Sequence, residues 1–532
     1  MAELNNLILA DFFLGRAESK PDLPILTFEG GGVFQDEHRT YAEIWINAGK
    51  IAHAMQARGI SHGDTFAIML RNHPEFIEAM VAASILGAIF VPIDPRTRGP
   101  KLAYTLNNSE SKGIICANYC VGAMLEIRSQ VPGLEWVMLL EDPAEPAGQA
   151  SVADIDGAVA LADVLSGGEV RIERQVKDPT DLLEILYTSG TTGDPKGVTI
   201  PNARLGGGTM AGRMLQFIES DRPYTGLSLT HGNAQSLTLF PALGMDLPVT
   251  FSRKFTKSRL WDICRQYNCT VFNLLGGMAT AIYSEPPRPD DADNPVRFVL
   301  SAGMPPTIWR KFEERFAVKI VEAYAAVDGY GLFMNKGDGP VGSFGKAPEG
   351  GEFKIVDEEG NELPYGEMGE LIGRPKQGEV SVKYFKNKAA SEKKTEGGWV
   401  HTGDICHRDA DGWYYFDYRK GGGIRHNGDF VNPGFVEQVL AEHPGISDVF
   451  VYGVPAASGA PGECDVVAAV ESTSAFDPAS VFAWCRKHLE PNFVPTYLQV
   501  VDEIPKTASE KPQARFLQER FAPDAKGVYV SN

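Results

Sequence analysis

Apolar positions along the first 180 residues switch between two periods. From Thr40 to Gly59, Tyr41, Ile44, Ala48, Ile51 and Met55 fall on one helical face, and Gly59 suits the stop. Phe66 to Leu70 is a continuous apolar run of strand length. Pro74 then suits the first turn of a helix with Phe76, Ile77, Met80, Val81 and Ile85 on its buried side and Gly87 at its end. Ala88 to Ile93 returns as strand. Strand, helix, strand in this rhythm predicts a mostly parallel sheet covered by helices. Asp142 to Gly168 is acidic and rich in Ala, Gly and Pro, and reads as a surface excursion. Residues 200 to about 330 repeat the pattern, with strands expected at Val249–Phe251, Val271–Asn273 and Phe298–Leu300. From 340 to 418 strands are short, glycines frequent and helix signals few, which suits a small antiparallel sheet or barrel. Lys420-Gly421-Gly422-Gly423 is a hinge candidate, and Val431 to Asn532 has the size of a small α+β domain.

Composition narrows the class of protein. At 532 residues the chain exceeds one core, and 43% hydrophobic with 22% charged residues is ordinary for a globular enzyme. A formal net charge of -19 argues against nucleic acid or an anionic membrane as the main partner. Seven scattered cysteines with no CxxC pair suggest neither a disulfide framework nor a zinc site, so a reducing cytoplasm is expected. The N-terminal MAELNNLILADFF has no basic n-region and does not read as a signal peptide. The most membrane-like run, Phe76 to Ile93, contains Glu78, Gly87 and Pro92, and reads as a buried helix followed by a buried strand. No integral membrane association is expected.

Thr188 to Gly197, TSGTTGDPKG, puts four hydroxyls, three glycines and a lysine directly after the apolar stretch Leu182 to Tyr187. Its glycines let N–H groups converge on one point, a concavity suited to an anion such as phosphate. It is not a Walker A loop, because the lysine is followed by glycine and not by Ser or Thr.

This loop resembles the signature of the adenylate-forming superfamily, which includes acyl-CoA synthetases, peptide-synthetase adenylation domains and beetle luciferases. Further matches follow in the family's order: SAGMPP (Ser301 to Pro306), AYAAVD (Ala323 to Asp328), GELIGR (Gly369 to Arg374) and WVHTGD (Trp399 to Asp404). Arg419, NGDFVNP (Asn427 to Pro433) and PKTASEKPQAR (Pro505 to Arg515) complete the series. LTHGNAQ and FNLLGGM are similar to stretches of crotonobetaine/carnitine–CoA ligase-like proteins. The resemblance, with the pattern above, implies an α/β fold. It has a large N-terminal domain (1–419) of two parallel-sheet subdomains plus a small β-barrel. A hinge (420–423) and a mobile α+β C-terminal domain (424–532) follow.

Members of this superfamily join a carboxylate to ATP, forming an acyl-adenylate and pyrophosphate, and most then pass the acyl group to a thiol. The resemblance assigns Thr188, Ser189, Gly190, Thr191, Thr192 and Gly193 to the β- and γ-phosphates, with Lys196 steadying the loop. Tyr324 would lie against adenine, Asp404 would accept from the ribose hydroxyls, and Arg419 would reach the ribose or α-phosphate. Asp328 would hold Mg²⁺. Lys511 would bridge the carboxylate and α-phosphate, a role that a compact ammonium on a flexible stem suits, with Lys506 as the runner-up. His231 would gate or line the acyl pocket, whose other walls would be Asn233, Gly276, Gly277, Gly303, Ala325 and Val327. The small residues among these leave room for an acid bulkier than acetate.

Four positions depart from the family pattern. Val327 stands where a threonine is usual, which removes a contact worth about 0.5–1.5 kcal/mol. Asp328 replaces a glutamate, keeping the charge on a shorter stem. Gly421 replaces a hinge Asp or Lys, and Glu510 replaces the glycine before Lys511. None deletes an indispensable charge. The expectation is an ATP-dependent acid–CoA ligase using ATP, Mg²⁺ and coenzyme A, with a small carboxylic acid as substrate and a homodimer as candidate assembly. The alternatives are an adenylating enzyme that loads a carrier protein or forms an amide, and a degenerate nucleotide-binding regulatory protein.

Overall fold

Thr40 opens the first long helix, Tyr41–Gln56, with a reciprocal cap: its side chain accepts from the Glu43 N–H, and the Glu43 carboxylate accepts from the Thr40 N–H. Tyr41, Ile44, Ala48, Ile51 and Met55 are all buried, as their spacing predicts. The membrane-like run resolves into the helix Pro74–Leu86 and the strand Ile89–Pro92. Gly87 between them caps the helix in the left-handed region, with φ 64°. Among the described residues no helix is long and apolar enough to cross a membrane. This computed structural model describes residues 4–142, 151–170, 172–188, 195–380, 382–420, 423–426, 429–457, 464–507 and 512–531. They divide into two compact units, 1–256 with 262–273 and 383–391, and 257–261 with 274–382 and 392–532.

The first unit holds a seven-stranded sheet in the order Val159–Ala160, Trp136–Leu140, Gly113–Ala117, Thr65–Met69, Ile89–Pro92, Leu182–Tyr187, Gly197–Pro201. Every pairing is parallel except the last, between Leu182–Tyr187 and Gly197–Pro201. Met69, Val91, Ile114, Leu139 and Ile185 belong to its core. A second group of strands in this unit pairs Pro24–Glu29 and Pro223–Thr225 in parallel with Val249–Ser252. The surface excursion expected at 142–168 is partly structural. Val159 and Ala160 form an edge strand beside Met138 and Leu139, and Ile155 and Leu161 are buried. Two apolar residues in a polar stretch are enough to tie it to the core.

The second unit begins from the parallel strands Phe298–Ala302 and Lys319–Tyr324. The expected small antiparallel region continues from the latter, in the order Phe333–Asn335, Ser343–Lys346, Trp413–Arg419, Val400–Arg408, Gly369–Pro375, Gly351–Val356. Phe333, Phe344, Ile355, Leu371, Cys406 and Tyr414 form its core. The last hundred residues build a four-stranded sheet, Ile446–Pro455, Cys464–Ser472, Tyr497–Val501 and Val528–Val530. Its two hydrophobic clusters draw only on residues from Ile424 onward. The hinge glycines Gly421 and Gly422 lie outside the described residues. None of the seven cysteines forms a disulfide.

Candidate active site

In the first unit an antiparallel neck flanks the stretch expected to bind phosphate. Tyr187 pairs with Gly197, and the Thr188 N–H donates to the Lys196 carbonyl at 2.9 Å. A Cβ on Gly197 would fall 2.6 Å from Ile185 Cγ2, so the neck admits only glycine without a shift. The Phe385 N–H donates to the Gly197 carbonyl at 2.7 Å, and Lys196 Nζ lies 5.4 Å from the Tyr384 ring centroid. Ser189, Gly190, Thr191, Thr192 and Gly193 lie outside the described residues.

Behind the neck, Glu184 is buried, and burial pushes its carboxyl up to about 7. Gln235 Nε2 donates to its Oε1 at 3.0 Å and to the Leu229 carbonyl at 2.9 Å, while Oε2 has no partner among the described residues. Gln235 lies in a π-helix, Ala234–Leu239, just after His231. The His231 Nδ1 accepts from the Asn233 N–H at 3.2 Å. That bond assigns the ring proton to Nε2, leaving Nε2–H as the donor His231 can offer. The Asn233 carbonyl oxygen accepts from the buried Asn273 amide.

In the second unit the strand Lys319–Tyr324 carries two of the groups described below, Glu322 and Tyr324. The Tyr324 hydroxyl donates to Asp404 Oδ2 at 2.6 Å, and one ring face lies against Phe344, with centroids 4.5 Å apart. Burial, and then the Asp404 charge, hold the Tyr324 hydroxyl well above the usual phenol range. Asp404 stands opposite Arg419 in the ladder, and Arg419 Nη1 reaches its Oδ1 at 2.9 Å. Asp404 is buried, while Arg419 is half exposed. Among the described residues each carboxylate oxygen thus has one side-chain partner, and it keeps a lone pair for a further donor.

Two residues earlier, Glu322 is buried between the apolar Val321 and Ala323. It accepts from the N–H groups of Gly303 and Met304, and burial pushes its carboxyl up to about 7. Gly303 has φ 91°, a conformation a side chain would strain. A Cβ on Gly276 would sit 2.2 Å from the Gly303 carbonyl oxygen. Gly276 is therefore small so that two backbones can touch, a reason separate from room for substrate. Ala325 and Val327 follow Tyr324 in the adjoining loop.

Asp328 lies within that loop, and the Lys394 ammonium lies 3.1 Å from its Oδ2. Among the described residues no group of three or more His, Cys, Asp or Glu is arranged to hold a metal. A lone carboxylate fits Mg²⁺ all the same, since that ion takes few protein ligands and fills its shell with phosphate oxygens and water.

Of the two candidate lysines, Lys506 is held by Asp448 at 2.5 Å, with 16% of its side chain exposed. Lys511 lies outside the described residues. Glu184, Glu322 and Lys394 escaped the reading of the sequence. The two glutamates left a signal, an acid inside a strand of buried apolar residues, whereas Lys394 sits among exposed lysines and left none.

A buried carboxylate gripped by a tyrosine and an arginine in one unit, and a glycine-closed neck at Thr188 and Lys196 in the other, fall on residues that the resemblance assigns to an adenylate-forming enzyme. Residues 13–378 match the AMP-binding enzyme family and residues 436–511 its C-terminal domain; the chain belongs to that family. It is 29% identical to the medium/long-chain-fatty-acid–CoA ligase of Mycobacterium marinum over 92% of each chain. It is 27% identical to the crotonobetaine/carnitine–CoA ligase of Salmonella typhimurium, over 89% of this chain and 91% of that one. Its fold matches a crystal structure of an anthranilate CoA ligase in complex with anthranoyl-AMP, with TM-score 0.83, 22% identity and 96% of each chain covered.

Proposed function

We propose that this protein is an ATP-dependent acid–CoA ligase. A substrate carboxylate attacks the α-phosphorus of ATP, pyrophosphate leaves, and an acyl-adenylate remains. The coenzyme A thiol, its proton lost to solvent, then attacks the acyl carbon, and AMP leaves. The observation that carries the reading is Asp404. It is a buried carboxylate with a spare lone pair on each oxygen, fixed by Tyr324 and Arg419, as two neighbouring ribose hydroxyls require.

The remaining roles are those that the resemblance to the adenylate-forming superfamily implies. Thr188, Ser189, Gly190, Thr191, Thr192 and Gly193 hold the β- and γ-phosphates, with Lys196 steadying them. Lys511 neutralises the charge that develops as carboxylate and α-phosphate approach. Bound to Asp328 and phosphate oxygens, Mg²⁺ would supply further neutralisation. His231 offers Nε2–H to the acid, beside Asn233. Residues 424–532, with cores of their own, turn about 420–423 between the two half-reactions, and the Asn427–Val431 segment then lines the pantetheine path.

Pyrophosphate exchange with a panel of aliphatic, quaternary-ammonium and aromatic acids tests the first half-reaction. Mass detection of acyl-CoA tests the second. Lys511→Ala is expected to lower exchange by about 10²–10³-fold. Lys506→Ala should lower it little. The reverse order would move the catalytic role to Lys506, and exchange with no acid would sink the ligase reading.

A further inference from the structure

Lysine ammonium groups seldom leave water, yet Lys394 is 10% exposed and faces Asp328, which is 13% exposed. Two connections tie the same pair of segments together. At one, Tyr324 meets Asp404. At the other, four residues after Tyr324 and ten before Asp404, Asp328 meets Lys394. The first connection belongs to the ribose site. The second brings a positive charge to the carboxylate that the proposed function assigns to the metal.

An ammonium 3.1 Å from a carboxylate oxygen stands where a divalent ion would draw on the same charge. Magnesium binds such an oxygen at about 2.0–2.1 Å, and the two cations then repel across a short, partly dry gap. The same ammonium has three donors and can turn them to a phosphate oxygen.

We propose that Lys394 is an ATP-positioning residue that gives the nucleotide site its own fixed positive charge at Asp328. Nucleotide then binds before the metal does, and Lys394 competes with the divalent ion for Asp328. This rests on the ligase reading only in taking Asp328 as the metal carboxylate.

The test measures binding of ATP by equilibrium dialysis without any acid, so that no turnover occurs, and first with EDTA present. Wild-type protein is expected to bind metal-free ATP, and Lys394→Met to lose about tenfold or more, the usual effect of removing a charged hydrogen bond. Lys394→Arg should retain most of the binding. Manganese titration of the ATP complex, followed by electron paramagnetic resonance, should reach half-saturation at a lower ion concentration in Lys394→Met than in wild type.

Lys394→Met leaves a sheltered carboxylate unpaired and can destabilise the chain. Asp328→Asn and Asp328→Asn/Lys394→Met are therefore compared as a second pair that avoids this. The single variant should bind metal-free ATP at least as tightly as wild type, and the double variant at least tenfold more weakly than the single. Equal metal-free binding across either pair, with an unmoved manganese midpoint, overturns the proposal. If the binding pattern holds but no acid supports pyrophosphate exchange, the ligase reading fails and Lys394 keeps its role. If exchange occurs and binding is unchanged, only the Lys394 proposal fails.

Discussion

Two six-residue strands of this protein share a buried glutamate and a terminal tyrosine. Leu182–Tyr187 reads LLEILY and Lys319–Tyr324 reads KIVEAY. Each carries a buried glutamate whose carboxyl burial pushes up to about 7, and each ends in a tyrosine just before a proposed nucleotide-binding loop. Their partners separate them. Tyr187 donates to the neutral Asn108 amide at 2.6 Å, whereas Tyr324 donates at 2.6 Å to a carboxylate that also holds Arg419. Glu184 meets one side-chain amide, and Glu322 meets two backbone N–H groups at the Gly303 turn. One strand is a brace behind a loop. The other is a brace that also carries Tyr324, which is proposed to meet the nucleotide. A strand that ends in tyrosine two or three residues after a buried glutamate therefore does not announce which it is, and the contact made from another part of the chain decides.

The sharpest way to break the comparison is at the two tyrosine partners. Asp404→Ala should weaken ATP binding by about 10- to 100-fold, the range for a charged hydrogen bond. Asn108→Ala should leave ATP affinity within twofold of wild type, roughly the noise of such a titration, and cost about 1 kcal/mol of stability. Calorimetric titration and urea unfolding read the two effects. An equal loss of affinity in both variants would erase the distinction.

The glutamates give the next effect. Each folded carboxyl titrates near 7 against an ordinary value of 4.5, so between these values the folded state holds more protons than the unfolded one. Stability therefore falls as pH rises from about 4.5 to about 7, and stays at the lower level above that. The whole effect is on the order of 3 kcal/mol for each fully buried group. Glu322→Gln and Glu184→Gln should each flatten that slope in urea unfolding followed across pH. A slope unchanged in both would mean that neither carboxyl is displaced.

The smallest effect expected is that of Tyr187→Phe. It removes one neutral hydrogen bond, costs about 0.5–1.5 kcal/mol in unfolding experiments, and leaves pyrophosphate exchange unaltered. Tyr324→Phe loses the same hydroxyl but also frees Asp404, so its loss should appear in nucleotide affinity too.

Much of this molecule was legible before its structure. The helix Tyr41–Gln56, the helix Pro74–Leu86 and the strand Thr65–Met69 follow from periodicity, a cap and a proline, all interactions within a few residues. The family and its α/β class followed from motifs that stand in order along the chain. Short-range physics and ordered motifs are properties of the linear text. The structure alone decided that Lys506 is tied to Asp448, that Gly276 is small because the Gly303 carbonyl lies against it, and that Lys394 faces Asp328. Each joins residues tens of positions apart, and the energy of such a pair depends on distance and burial, which exist only once the chain has folded.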